Sequence, residues 1–243
     1  LGLIATVVSG CTGSSPSSST PSDLPGPTAE ASGAAPVPSG EPVARELFGT
    51  HVGNLASGKE SLPPAAGAMA IVNASRNMEL YEEETDTEVY KLGIHTLPEF
   101  TPRDTPEAMM SGLYDRTKDL LETDKFICML GGEHSISAPV IQAHNEKFDD
   151  LSVLQIDAHA DLRDTYDGTP HSHASIMARV VKDMRIPAVQ VGIRSISGDE
   201  ARSLKDGLPT KVFWARDIVG RTDWIDDAIH GLTDNVYLTI DID

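Results

Sequence analysis

The fold is decided by one stretch of sequence, Leu151-Ser152-Val153-Leu154-Gln155-Ile156-Asp157-Ala158-His159-Ala160-Asp161. Its first six residues are mostly apolar, as in a buried strand of a parallel sheet. Two aspartates and a histidine follow at alternate positions, with small alanines between them. Because alternate residues of an extended backbone point the same way, Asp157, His159 and Asp161 are predicted to face one crevice.

Strands and helices are predicted to alternate on both sides of this stretch. The predicted strands are 126–130, 151–156, 189–193, 212–214 and 236–240. The predicted helices are 65–80, 106–122, 137–147, 173–183, 199–205 and 224–232. Strands separated by helices of this length imply βαβ units, so we predict a three-layer α/β/α fold with a mostly parallel sheet. The sequence ends soon after the last strand, and we expect the domain to be truncated at its C-terminus.

Two regions of different composition divide the chain. Residues 10–43 are almost all Ser, Pro, Gly, Ala and Thr, a composition that buries too little apolar surface to offset the entropy of ordering. We therefore predict a tail over residues 1–44 and a globular domain over residues 45–243. At the start of that domain, residues 46–55 look like a poor strand because two glycines and a histidine interrupt them.

The first eleven residues form a short apolar run that ends in small residues and Cys11. This run resembles the end of a bacterial lipoprotein signal, in which Cys11 would carry the lipid. An unrelated segment joined to the domain explains it equally well, so we expect membrane attachment only if Cys11 is lipidated. The second cysteine, Cys128, lies in an apolar run and is predicted to be a buried, inert thiol.

The formal net charge of −18 disfavours nucleic acid and anionic membranes as the main partner. It favours a small cationic molecule or metal ions, although a plain acidic surface gives the same charge.

Residues suited to binding metal follow three of the predicted strands. These residues are His134 after Gly131-Gly132-Glu133, the cluster Asp157, His159 and Asp161, and the pair Asp241 and Asp243. The carboxyl ends of parallel strands meet at one edge of a sheet, where ligands bind. Carboxylates crowded there repel one another unless cations offset their charge. A site built from carboxylates and imidazole suits Mn²⁺, whereas a zinc site built from thiolates would need cysteines.

Together the three motifs resemble those of the arginase/agmatinase (ureohydrolase) family. Gly131-Gly132-Glu133-His134-Ser135 is similar to the family's Gly-Gly-x-His-Ser, and the Asp157–Asp161 cluster matches its Asp-Ala-His-x-Asp. The segment Leu238-Thr239-Ile240-Asp241-Ile242-Asp243 resembles the start of its third metal motif. The resemblance extends over residues 65–243 and looks strongest to bacterial and archaeal agmatinases.

The resemblance implies an arginase-like fold and a site for two Mn²⁺ ions. By this resemblance His134, Asp157, Asp161 and Asp241 hold one ion, and Asp157, His159, Asp241 and Asp243 hold the other. It also implies that metal-activated water attacks the carbon of a guanidinium group.

The resemblance points to His173 for proton transfer to the leaving amine, a role that suits a histidine near its working pKa. His171 is the competing candidate, and either side chain can also be a solvated loop residue. Asp164, Tyr166 and Asp167 lie in the same loop and are candidates for contact with the substrate's cationic tail.

The sequence therefore predicts a manganese-dependent enzyme that hydrolyses a guanidino compound to urea and an amine. The expected reaction is the hydrolysis of agmatine to putrescine and urea, a step of polyamine biosynthesis. The alternatives are a guanidinobutyrase, an arginase, a formimidoylglutamase, or a non-catalytic lipoprotein that binds metal or polyamines. By resemblance we expect a cytoplasmic homo-oligomer, with a membrane-anchored lipoprotein as the alternative. This chain by itself is predicted to be inactive.

Overall fold

The computed structural model describes residues 4–10, 45–49, 64–100, 104–123 and 125–242. The strands are β1 (Ile4–Gly10), β2 (Arg45–Gly49), β3 (Ile94–Thr96), β4 (Ile127–Gly131), β5 (Leu151–Ile156), β6 (Ala188–Ile193), β7 (Thr210–Trp214) and β8 (Asn235–Asp241). The α-helices are α1 (Pro64–Ser75), α2 (Pro106–Leu121), α3 (Ser137–Lys147), α4 (Ile176–Ala178), α5 (Gly198–Lys205), α6 (Ala215–Ile218) and α7 (Ile225–Ile229).

The described strands form one sheet in the spatial order β3-β2-β4-β1-β8-β5-β6-β7. Strand β1 pairs antiparallel with β4 and β8, and every other pair in the described sheet is parallel. The mostly parallel sheet is thus confirmed. Its parallel strands bring the ends of β4, β5 and β8 to one edge, although β1 separates β4 from β8.

Apolar clusters cover both faces of the sheet. Neighbouring residues of β5, Val153 and Leu154, pack in different clusters, which therefore lie on opposite faces. The larger cluster packs α2, α3 and α4 on the sheet, and the smaller one packs Ala228 of α7 against Val189 and Val191. This arrangement is the predicted α/β architecture with helices on both sides.

Most predicted elements occur where the sequence pattern places them. In α2, the hydroxyl of Thr105 accepts a hydrogen bond from the backbone N–H of Ala108 at 3.2 Å, as an N-cap residue does. Helix α1 is shorter than predicted and ends at Ser75, whose hydroxyl donates to the carbonyl of Val72 at 2.8 Å. Such a bond competes with the helical backbone pattern and favours the turns that follow.

Two predictions need correction. The poor strand at residues 46–55 is in part a real one, because β2 pairs with β3 on one side and β4 on the other. Backbone pairing on both edges outweighs a weak local preference. The predicted helix 173–183 is composite: His173–Ser175 is a 3₁₀ turn, α4 follows, and Arg179–Asp183 is a π-helix.

The predictions for the N-terminal region remain open. Ile4–Gly10, within the lipoprotein-like run, forms β1, whereas Cys11 and most of the predicted tail lie outside the described residues. The split at residues 44 and 45 stays a prediction. Among the described helices, none is both long and apolar enough to cross a bilayer.

Candidate metal centre

The buried imidazole of His134 lies at the centre of the site. It belongs to a 3₁₀ turn, His134–Ile136, that starts three residues after β4 ends. Its Nδ1 atom lies 2.8 Å from Oδ2 of Asp161, 3.3 Å from Oδ2 of Asp241 and 3.4 Å from Oδ2 of Asp157. One nitrogen thus faces carboxylates from two segments far apart in the sequence.

The opposite ring nitrogen of His134 has a separate partner. Nε2 lies 2.9 Å from Oγ1 of Thr239, which is fully buried in β8. When Nε2–H donates to this hydroxyl, Nδ1 directs a lone pair at three carboxylates, and this arrangement is repulsive unless a proton or a metal cation lies between them.

The pKa values in the cluster reflect this crowding. Burial lowers the pKa of His134, but hydrogen bonds to Asp157 and Asp161 and the charges of Asp161 and Asp241 outweigh burial and raise it well above its usual value. Burial raises the pKa of Asp161 to about 6, and the charges of Asp157 and Asp241 add to this effect. Burial also raises the pKa of Asp157, yet hydrogen bonding to His134 reverses the shift and leaves it lowered.

The donor set fits a divalent cation. Ligand atoms of His134, Asp157 and Asp241 all lie within 4.8 Å of one another. Imidazole nitrogen combined with several carboxylate oxygens suits a metal such as Mn²⁺. Asp161 adds a further carboxylate beside the same nitrogen.

The backbone that presents these ligands differs from the predicted extended one. Strand β5 ends at Ile156, and Asp161 has a φ of +53°, in the left-handed region. The carbonyl of Asp161 accepts from the N–H of Ala178 at 3.0 Å, which ties this turn to α4. Asp157 and Asp161 are buried, whereas the side chain of His159 is 47% exposed. A turn, and not simple strand alternation, therefore brings Asp161 beside His134.

An open cleft of about 390 Å³ lies over the cluster. It is lined by residues that include His159, Asp161, Asp241, His173 and Tyr166. The rings of Tyr166 and His173 meet edge to face, with centroids 5.3 Å apart. A small molecule in this cleft would contact both the metal ligands and His173.

A half-buried carboxylate, Glu133, connects His173 to the first metal motif. Its Oε1 accepts from the backbone N–H of His173 at 2.7 Å and lies 3.1 Å from Nδ1 of the same residue. Its Oε2 accepts from the N–H of Ser135 at 2.9 Å. Burial raises the pKa of Glu133, but hydrogen bonds from His173 and Ser135 outweigh burial and lower it overall.

The other loop candidates lie elsewhere. His171 lines a different cleft of about 640 Å³, together with residues of α2 and α3. Asp164 forms an ion pair with Lys182 at 2.8 Å, and Asp167 lies in a turn with a φ of +47°. Asp243 lies outside the described residues.

With this geometry established, comparison with known proteins identifies the family. The family model described as "Arginase family" matches residues 57–243. This chain belongs to the arginase family. The resemblance inferred from the three metal motifs is therefore confirmed.

Named relatives and solved structures agree with membership of the arginase family. An N(1)-aminopropylagmatine ureohydrolase of Synechocystis is 36% identical over 186 residues, which are 73% of this chain and 60% of that protein. An agmatinase of Bacillus cereus is 36% identical over 134 residues, 51% of this chain and 42% of that protein. The crystal structure of agmatine ureohydrolase from Thermoplasma volcanium superposes with a TM-score of 0.66 over 79% of this chain and 64% of that chain. The two sequences are 23% identical, so this likeness supports the fold alone. The chain spans about 60% of the length of the first of these relatives.

Sequence reasoning missed several residues of this arginase-family site. Glu133 contacts His173, Gln155 contacts Asp157 and Thr239 contacts His134, while Gln190 bonds to Gln155 behind them, and none of the four was proposed as a site residue. A usable signal existed for the two glutamines, because each interrupts an apolar strand, where a polar side chain needs a buried partner.

Proposed function

We propose that this chain forms the metal-binding part of an enzyme that hydrolyses a guanidino compound to urea and an amine with the aid of Mn²⁺. The observation that carries the proposal is the position of Nδ1 of His134, within 3.4 Å of carboxylate oxygens from Asp157, Asp161 and Asp241. Membership of the arginase family supports the same chemistry.

Two Mn²⁺ ions are proposed, as the family resemblance implies. His134, Asp157, Asp161 and Asp241 would hold one, and Asp157, His159, Asp241 and Asp243 would hold the other. When bound, such ions make coordinated water acidic enough to supply a nucleophile near neutral pH and neutralise developing negative charge.

The protein side chains supply the proton transfer in this proposal. His173 lines the cleft with the ligands and is the candidate that protonates the leaving amine. The contacts of Glu133 with both the backbone and the ring of His173 hold that imidazole in place. Tyr166 packs against the same ring and is the loop candidate best placed to contact the substrate chain.

Agmatine is the proposed substrate, and putrescine and urea are its products. A second candidate is N(1)-aminopropylagmatine, because relatives from Synechocystis and Thermus thermophilus, 36% and 32% identical, carry that name. Both molecules present the same guanidinium group and differ in the cationic chain behind it. We further propose a cytoplasmic homo-oligomer, with lipid anchoring only if Cys11 is modified.

The test uses the whole Mn²⁺-loaded enzyme of which this chain forms the metal-binding part. Urea release is measured from agmatine, N(1)-aminopropylagmatine, arginine and 4-guanidinobutyrate, and formamide release from formimidoylglutamate, at equal concentrations. We expect the highest kcat/KM for agmatine. A higher value for the aminopropyl compound would favour the second candidate, and the absence of turnover by the whole enzyme on every compound would refute the proposed function.

A further inference from the structure

Two fully buried glutamines lie side by side on neighbouring strands of the sheet, β5 and β6. Gln155 of β5 and Gln190 of β6 are register partners in the parallel pair, and both are 0% exposed. A primary amide in an apolar sheet costs stability unless its donors and acceptor are satisfied. The hydrogen-bond partners of these two amides therefore indicate why glutamines lie at these positions.

Every polar atom of the two amides has a partner. Gln190 donates from Nε2 to the carbonyl of Ala160 at 2.8 Å and to Oε1 of Gln155, and its own Oε1 accepts from the hydroxyl of Thr210 at 3.1 Å. Gln155 donates from Nε2 to Oδ2 of Asp157 at 2.7 Å and to the carbonyl of His159 at 3.2 Å. The resulting chain crosses three strands, from Thr210 in β7 to the end of β5. We call Thr210, Gln190 and Gln155 the amide ladder.

The direction of the amide ladder is fixed. Nε2 of Gln155 must face Asp157, because a carboxylate accepts hydrogen bonds and an amide oxygen does not donate them. Oε1 of Gln155 then faces Gln190, which in turn donates to it. Neither amide can flip without losing two hydrogen bonds, so the ladder presents a rigid donor to the carboxylate.

Beyond its internal bonds, the ladder contacts the segment that carries the metal ligands. Oδ2 of Asp157 accepts a hydrogen bond from Nε2 of Gln155, and Oδ1 accepts one from the backbone N–H of His159 at 2.7 Å. The carbonyls of His159 and Ala160, the two residues before Asp161, accept hydrogen bonds from Gln155 and Gln190 respectively. Outer partners of this kind orient metal ligands and raise metal affinity.

We infer that the amide ladder positions Asp157 and the His159–Ala160 backbone for metal binding, so that Gln155 and Gln190 are positioning residues of the site. This inference rests on the metal centre of the proposed function. It requires neither glutamine to touch metal or substrate. The ladder acts by fixing which carboxylate lone pairs remain free to face His134.

The test compares Mn²⁺ binding by the full chain and by Gln155→Met, a change that keeps the side-chain length and removes the amide. We expect the dissociation constant for Mn²⁺, measured by isothermal titration calorimetry, to rise on the order of 10- to 100-fold. When the same variant is made in the whole enzyme, excess Mn²⁺ should restore urea release without a change in KM for the substrate, a rescue that general damage to the fold would not give. Gln142→Met on the exposed face of α3 makes the same change away from the site and should leave Mn²⁺ affinity unchanged.

A second variant covers the case in which Gln155→Met does not fold. Gln190→Met keeps the contact of Gln155 with Asp157 but removes its support, so a smaller rise in the dissociation constant is expected. A folded variant of either kind with the affinity of the unmodified chain would overturn the inference. Failure of both to fold would also overturn it, because the amides would then serve the core and not the site.

The proposed function and this inference fail in different ways. If the unmodified chain binds Mn²⁺ but the whole enzyme releases urea from no guanidino compound, the function fails and the ladder is still judged by affinity. If the unmodified chain and Gln155→Met bind Mn²⁺ equally well, the ladder inference fails and the function stands. If the unmodified chain binds no Mn²⁺, both are refuted.

Discussion

The Nδ1 atom of His134 lies 2.8 Å from Oδ2 of Asp161, although 27 positions separate the two residues in the sequence. The contact joins the turn after β4 to the turn after β5, and Asp241 at the end of β8 approaches the same nitrogen at 3.3 Å. The candidate site therefore depends on three strand ends being held at one edge of the sheet.

In the whole enzyme, replacement of His173 by alanine should lower kcat for urea release by about 10²- to 10⁴-fold, the usual contribution of a positioned acid–base group. Mn²⁺ affinity should change little, because the ring contacts Glu133 and Tyr166 and is not among the proposed ligands. His171→Ala is the matched control, since His171 lines the other cleft. Equal losses in the two variants would contradict the assignment of His173.

Two glycines with nearly the same positive φ provide a test of packing beneath the site. Gly192 and Gly207 have φ values of +89° and +88°, but a Cβ at Gly192 would lie 3.1 Å from the carbonyl oxygen of Asp157, and one at Gly207 would meet nothing within 4 Å. Gly207→Ala should cost about 1–2 kcal/mol of unfolding free energy through backbone strain alone.

Gly192→Ala should cost more than Gly207→Ala and should also weaken Mn²⁺ binding, because the backbone of Asp157 has to move. Urea denaturation without metal and Mn²⁺ titration measure the two effects. Equal stability losses and unchanged Mn²⁺ affinity in both variants would show that the close approach at Gly192 has no role in the site.

His144 should make stability depend on pH. Burial lowers the pKa of this imidazole from 6.5 to about 4, although its hydrogen bond to the carbonyl of Val140 opposes the shift. Between these two values the unfolded chain binds a proton that the folded chain does not, so the unfolding free energy falls as the pH drops from 6.5 to 4. The loss by pH 4 should be about 3 kcal/mol, from the relation between pKa shift and free energy.

His144→Gln should flatten this dependence, because the amide can still donate to the carbonyl of Val140 but does not titrate in this range. The measurement is unfolding free energy against pH, with His230→Gln on the exposed end of α7 as the control. If the unfolding free energy of His144→Gln fell with pH as steeply as that of the unmodified chain, His144 would not be the origin of the pH dependence.

The sequence predicts the fold well because the fold depends on local pattern, and the same pattern nominates the proposed ligand residues. Apolar runs of strand length, such as 151–156, alternate with helical segments, and each metal motif follows such a run directly. Strand β2 escaped prediction because its pairing partners, β3 and β4, are distant in the sequence. The local sequence pattern around β2 carries no information about its pairing with β3 and β4.

The supporting contacts of the site were not predictable in the same way. The bond between Glu133 and His173 spans 40 positions, and the one between Gln190 and Gln155 spans 35. The left-handed backbone at Asp161 was also missed, because the alternation Asp-x-His-x-Asp looks like continued strand. Tertiary contacts and one turn thus decide how the predicted ligands are presented.

The most direct test of the central claim is the Mn²⁺ content of the purified chain after equilibrium dialysis, compared between the unmodified protein and Asp157→Ala. Asp223→Ala removes an exposed aspartate that pairs with Arg221 and serves as the control for charge. The metal-centre account predicts that the unmodified chain and Asp223→Ala retain Mn²⁺ and that Asp157→Ala loses it. Equal Mn²⁺ retention in all three proteins, or none in the unmodified chain, would contradict it.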